Sequence, residues 1–156
     1  MDVTILESAY DQFLDAARGL RAGKPPDGEW PPELVLAHVI VSDRMIALAA
    51  ARVLAGGEPR FDNRASQFSP YLDAIVRVAG GWDGLLAGVR QAGNELMATV
   101  ALIEPDHARV AVPTLVVDHD RILIDGPAPL EQLVMIPATI HLPGHAEQLR
   151  SYASQR

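Results

Sequence analysis

The sequence predicts a mainly α-helical chain, a four-helix bundle with a short β-hairpin inserted before the last helix. Three observations carry that prediction. Four stretches of about twenty residues repeat apolar side chains at helical spacing, segments rich in glycine or proline separate them, and one β-branched run interrupts the pattern between residues 108 and 125. At 156 residues the chain is most simply one domain, 1–156, long enough to bury roughly two thirds of its unfolded surface in one core.

The first helix is expected over residues 3–22, where Ile5, Ala9, Phe13, Ala16, Ala17 and Leu20 recur at helical spacing and Gly23 supplies a stop. Residues 24–32 hold Pro25, Pro26, Gly28, Pro31 and Pro32 and read as a linker. The second helix, 33–55, starts behind Pro31-Pro32 and closes at Gly56-Gly57. At 1.5 Å per residue it would be about 35 Å long, which suits a bundle. Residues 58–70 are polar and irregular, and 71–79 form a short helix that breaks at Gly80-Gly81.

The third long helix is expected over 82–103 with Leu85, Leu86, Val89, Leu96 and Val100 as its apolar set; Gly84, Gly88 and Gly93 weaken its regularity. The hairpin, 108–125, has Val110, Val112 and Leu115 to Val117 in one strand and Ile122 to Ile124 in the other. Asp118-His119-Asp120 separates them, and Pro113 confines the first strand to an edge or a bulge. Pro129, a good first-turn residue, opens the fourth helix, which runs to about Ser154.

Composition narrows the function classes. The chain is 49% hydrophobic and 21% charged, which is globular. Its net charge of −7 and lack of any Lys/Arg run disfavour nucleic acid and anionic membrane surfaces, both of which are bound by clustered cations. Cysteine is absent, which excludes disulfides, thiolate metal sites and cysteine nucleophiles, so a thiol in the chemistry must arrive as a cosubstrate. The first residues lack the basic region of a signal peptide, and charges interrupt every apolar stretch, so no transmembrane span is expected and the cytoplasm is the expected location.

The chemistry concentrates in histidines. His141 and His145 are four residues apart, on one helix face, with Val134, Ala138 and Leu149. His38 lies on the second helix in the series Leu34, His38, Val41, Met45, Leu48, which faces the core. Three imidazoles from two helices match a catalytic type of metal site, three nitrogen ligands with an open position. The competing interpretation is that each is an ordinary core or surface histidine. His107 and His119 fall in loops and read as solvated. Asp43 follows His38 by five residues, about 140° round the helix, and suits a carboxylate behind the ligands or in proton transfer better than a direct ligand. Trp30 and Trp82 read as core anchors, and Arg44, Arg52 and Arg90 as solvated helix faces.

Two stretches resemble a known family. Trp30 to Asp43, with tryptophan eight residues before His38 and the acid five after it, resembles the start of the second helix in the DinB/YfiT-like superfamily. His141, His145 and Gln148-Leu149 resemble its closing motif. The resemblance spans essentially the whole chain but rests on about seven positions. It implies a four-helix bundle, commonly dimeric, in which His38, His141 and His145 bind a divalent metal, zinc or nickel most often. It also implies a small-molecule substrate and relatives that are thiol-dependent S-transferases and isomerases. The Ala-, Arg- and Gly-rich, lysine-poor composition makes mycothiol the thiol to test. The alternative is a catalytically inactive binding or structural dimer on the same fold. Pro143-Gly144, between the paired histidines, is a departure: proline removes an amide donor and crowds the carbonyl of Thr139, so a kink or a break is expected there.

Overall fold

A computed structural model describes residues 1–20, 25–118 and 121–154. The described chain is mainly helical with a small three-stranded sheet. Helices α1 (Thr4–Gly19) and α2 (Pro32–Leu54) are followed by strand β1 (Phe61–Asp62) and a 3-10 turn (Asn63–Gln67), then by α3 (Ser69–Ala79) and α4 (Trp82–Ala101). A short α5 (Pro105–Ala108) precedes β2 (Ala111–Asp118) and β3 (Arg121–Pro129). The chain then stays helical through α6 (Leu130–Ile136), a π-helical turn (Pro137–His141) and α7 (Leu142–Ser154). Gly23 and His119, assigned to a helix stop and a turn, lie outside the described residues.

Burial explains which helix is central. In α2 every residue from Val35 to Asp43 is buried, because α4 packs on one side and α3, the 3-10 turn and α6 cover others. A helix apolar all round is a core helix. The stripe expected from spacing is therefore too narrow, and its far end is wrong: Leu48 is 55% exposed. By length and apolarity α2 is sufficient to cross a membrane, contrary to the expectation from its interrupting charges, but 67% of its most apolar window is buried inside the protein. On α1 the buried face runs through Leu6, Tyr10, Phe13, Leu14 and Ala17, whereas Ile5 points outward. The buried apolar side chains form one cluster spanning all the long helices.

The glycines of α4 do not break it; two of them admit neighbouring helices. A Cβ on Gly93 would stand 2.8 Å from the Tyr10 ring, and one on Gly88 would stand 2.8 Å from Ile40 Cδ1. Gly93 thus gives Tyr10 of α1 its place against α4. Gly93→Ala is expected to destabilise the fold by about 1–3 kcal/mol, the usual cost of overpacking, because an aromatic ring between helices cannot swing aside as a surface side chain can. Chemical denaturation checks this; an unchanged midpoint would show that Tyr10 has room to move.

The inserted β element is larger than a hairpin. β2 pairs antiparallel with β3 and, at Thr114 and Leu115, parallel with β1. Residues 58–70, expected to be irregular, thus contribute a strand and a 3-10 turn. Pro113 faces Pro127 across the ladder, and Pro129 faces Ala111. A pair lacking both amides can only occupy a non-hydrogen-bonded position, and alternation places Pro129 at one too. The other flank of Pro113 lies just before the pairing with β1 begins, so its missing amide leaves no gap in that ladder. A register shift between Val116 and Val117 marks a bulge. Asn63 straps it: its Nδ2 donates to the Val117 carbonyl at 2.8 Å and its Oδ1 accepts from the Val117 amide at 2.8 Å, as a backbone strand would.

Of the kink or break expected at Pro143, a break does not occur: α7 runs through it. The helix switches to π register between Pro137 and His141, with the Leu142 amide donating to the Pro137 carbonyl. A π turn widens the helix by one residue and is common at functional positions. Pro137 stands at the start of the wide turn and Pro143 just after it, so the switch falls between the two residues that cannot donate.

Candidate metal centre

Each of the three histidines comes from a part of the fold with a reason to be rigid. His38 is 6% exposed in the fully buried stretch of α2. His141 closes the π turn, and His145 lies one turn later in α7, both half-buried. One ligand-capable nitrogen from each lies within 4.8 Å of the others. The ring centroids are 4.7 to 5.0 Å apart and meet edge to face, at interplanar angles of 68° to 81°. The sequence-based trio is thus brought together.

The positions of the protons follow from the partners. His38 Nδ1 is 2.6 Å from the carbonyl of Ser66, which can only accept, so the ring's proton is on Nδ1 and its Nε2 carries a lone pair. Gln148 Nε2 donates to Glu29 Oε2 at 2.7 Å, which turns Gln148 Oε1 toward His145 Nδ1 at 2.8 Å. That ring too is protonated on Nδ1 and presents Nε2. The single proton of Tyr152 Oη is shared between the same Glu29 oxygen at 3.3 Å and the Trp30 carbonyl at 3.2 Å. His141 differs. Its Nε2 lies 2.7 Å from His38 Nε2, so His141 is the donor there, and its buried Nδ1 has no partner among the described residues. Ligation through Nε2 would need the proton of His141 to sit on Nδ1 instead.

Burial, first of all, holds these imidazoles neutral. It pushes His38 down to about 4, with the charge of His145 adding to the effect and the Ser66 carbonyl opposing it. His141 is driven well below the ordinary 6.5 by burial and then by the other two rings. Burial also lowers His145, against the opposing effects of Gln148, Asp118 and Glu29. Neutral imidazole is the form that binds metal, so at neutral pH the trio is ready to ligate. The donor set, three neutral nitrogens with two of three anchored from behind, fits a divalent metal of the zinc type.

The histidines form the floor of a cavity of about 350 Å³ lined by α2, β2, α7, the 3-10 turn and the segment before α2. Trp30, expected only as a core anchor, packs against His38 with ring centroids 5.2 Å apart and also lines this cavity. Trp82 packs on the core at the start of α4.

Asp43 is bonded to a residue other than the histidines. Its Oδ2 accepts from Tyr10 Oη at 2.7 Å, its Oδ1 has no partner among the described residues, and neither oxygen bonds any of the three histidines. The outer support that sequence spacing assigned to this acid comes instead from the Ser66 carbonyl for His38 and from Gln148, held by Glu29, for His145. His107 lies in α5, where its Nδ1 accepts from the Glu104 amide at 3.3 Å, apart from the cluster. Arg44 pairs at 4.0 Å with Glu95 across to α4, and Arg52 and Arg90 are exposed and do not line the histidine cavity.

Of the supporting groups, Gln148 stands in a recognisable stretch, whereas Ser66 acts through a backbone oxygen that no residue type announces. Glu29 lies in a segment that reads as linker. Comparison with protein-family models, with curated proteins and with solved structures returns no match to this chain.

Proposed function

We propose that the chain is a divalent-metal-dependent enzyme that transfers a low-molecular-weight thiol to an electrophilic small molecule. His38, His141 and His145 hold the metal, zinc or nickel, through their Nε2 atoms. The observation that carries this reading is the convergence of three neutral imidazoles from two helices on the floor of an apolar cavity. The DinB/YfiT-like resemblance supplies the finer statement: a four-helix bundle of α1, α2, α4 and the α6–α7 helix with an inserted β-hairpin, working as a cytoplasmic homodimer with mycothiol as the candidate thiol.

Bound there, a divalent metal supplies Lewis acidity that lowers the pKa of a thiol and favours its thiolate at neutral pH. The chain's own residues do the rest. The Ser66 carbonyl and the Gln148 amide fix ring orientation and tautomer at His38 and His145. Trp30 packs at a tilt against the first of these rings. The apolar walls exclude water from the reacting groups, which strengthens electrostatic interactions inside. A transfer assay with zinc- or nickel-loaded protein, a small thiol and a chromogenic electrophile tests the reading. Metal-dependent turnover, absent in His145→Ala, is expected. Metal-loaded protein that is inert with every thiol tried favours the second reading, an inactive binding protein. One observation speaks for that alternative: among the described residues His141 Nδ1 has no partner, which leaves that ring without outer support.

Gln148→Ala is expected to weaken metal binding about 10–100-fold, the usual cost of losing a group that orients a ligand. Stability changes little, since Gln148 is half-buried and at the edge of the core. Zinc competition against a chromogenic chelator checks this; unaltered affinity would show that His145 needs no support.

A further inference from the structure

We propose that Ser42 is a specificity-determining residue of the histidine cavity: its hydroxyl donates to an acceptor oxygen, such as a ketone carbonyl, on a substrate with an apolar body. This deepens the proposed function by naming the class of electrophile, and it rests on that reading for the occupant's being a substrate.

The position of Ser42 carries the argument. His38, Ser42 and Ile46 follow at four-residue intervals on α2, so they share one helix face, and all three line the cavity. Ser42 stands one turn, about 6 Å, along the wall from the histidine floor. It is only 6% exposed, in the stretch of α2 that is buried from Val35 to Asp43. A serine inside a helix commonly satisfies its hydroxyl on the carbonyl four residues back. Ser42 does not bond the carbonyl of His38, and its Oγ has no partner among the described residues. Nor is that oxygen sealed in protein: the fully enclosed side-chain atoms without a partner are Asp43 Oδ1 and His141 Nδ1, so Ser42 Oγ opens onto the cavity. A buried hydroxyl is rarely left unpaired, because the bonds to water that it gives up must be replaced. The partner of Ser42 is therefore whatever occupies the cavity.

The neighbouring polar side chain fixes the kind of partner. Asn63, 9% exposed on the 3-10 turn, lines the same cavity. Its Oδ1 is taken by the Val117 amide and one Nδ2 proton by the Val117 carbonyl, which leaves a second Nδ2 proton to donate. The bond from His38 Nδ1 to the Ser66 carbonyl holds this turn against α2, so Asn63 and Ser42 stand on adjoining walls. An oxygen with two lone pairs meets this excess of donors, whereas a hydrocarbon of the same shape leaves the Ser42 hydroxyl unpaired. Phe61, Ile136 and Leu123 supply apolar walls for the rest of the molecule. The volume of about 350 Å³ equals roughly a dozen waters at ~30 Å³ each, room for a substituted aromatic ring.

A metal ion at the histidines would bind an oxygen by itself, so the test uses the whole chain stripped with chelator, its fold checked by circular dichroism. Acetophenone and its isostere α-methylstyrene, in which a methylene group replaces the carbonyl oxygen, are titrated against the parent and Ser42→Ala and followed by the Trp30 indole resonance. Ser42→Ala is expected to weaken acetophenone binding roughly three- to tenfold and to leave α-methylstyrene unchanged to within about twofold. The carbonyl stretch of bound acetophenone is expected at lower frequency in the parent than in the variant, a signature that a change of cavity shape alone does not produce. Equal weakening of both ligands, unchanged binding of acetophenone, or no shift of Trp30 with either ligand overturns the proposal. So does a bound carbonyl stretch in the parent as high as that of acetophenone in a hydrocarbon solvent, a result that needs no variant to fold. Because no metal takes part, a chain that binds no metal can still pass, and one that binds metal but gains nothing from Ser42 fails on this point alone.

Discussion

His38→Ala is expected to abolish tight metal binding. The substitution removes one of three converging nitrogens, so the loss is expected to exceed the ~10–100-fold that removal of an outer orienting group costs. It also leaves the Ser66 carbonyl, which accepts from His38 Nδ1 at 2.6 Å, without that donor. A stability loss of about 1–3 kcal/mol is expected from that unpaired acceptor and the small cavity. His107→Ala is the matched control: His107 caps α5 and lies outside the cluster, so metal affinity is expected to be unchanged. Competition titration with zinc, on variants whose fold is verified by circular dichroism, measures both. Equal affinity of His38→Ala and the parent would place the metal elsewhere.

Asp43→Asn stabilises the protein, increasingly so as pH rises. Burial inside α2 pushes the Asp43 carboxyl up to about 7, a shift that the hydrogen bond from Tyr10 only partly opposes. The Tyr10 phenol is in turn held far above its ordinary value by burial and by the charge of Asp43. The sign follows from proton counting. A carboxyl whose folded pKa lies above its unfolded value binds more protons in the folded state across the window between them. Stability therefore falls as pH rises from about 4 to about 7 and stays low above it. Asparagine resembles the protonated acid in shape and removes the titration. Parent and variant are expected to be similar near pH 4. At pH 8 the variant is expected to be more stable by of order 4 kcal/mol, roughly 10 °C in Tm for a chain of this size. Thermal melts of both proteins across that range check the prediction. A variant destabilised equally at every pH would mean that Asp43 is ionised and compensated in the fold.

The legible part of this molecule is the part that depends on helical period and residue type. The spacing of Leu34, His38 and Val41 turns His38 inward, and His141 and His145 share a face through their four-residue separation; the structure brings the three rings together. The positions of the four long helical stretches are likewise legible, to within a few residues, from their apolar repeats and their glycine and proline boundaries. What escaped depends on partners distant in sequence. Asp43 binds Tyr10, 33 residues away, a partner that angular position on α2 does not announce. The support of His38 is a backbone carbonyl in a turn whose residues, Asn63–Gln67, carry no helical or strand period. Glu29 reaches Gln148 across 119 residues from a proline-rich segment. Pro143 predicts a kink or a break in the last helix, but proline alone does not distinguish either from the π turn that precedes it, Pro137–His141.

The central claim is that this chain binds one divalent metal ion through His38, His141 and His145. Elemental analysis of protein purified without a histidine tag tests it most directly, extended by zinc titration of the chelator-stripped chain. One equivalent of zinc or nickel per chain, lost in His38→Ala, His141→Ala and His145→Ala but retained in His107→Ala, is the expected result. No stoichiometric divalent ion in the parent, before or after titration, would contradict it.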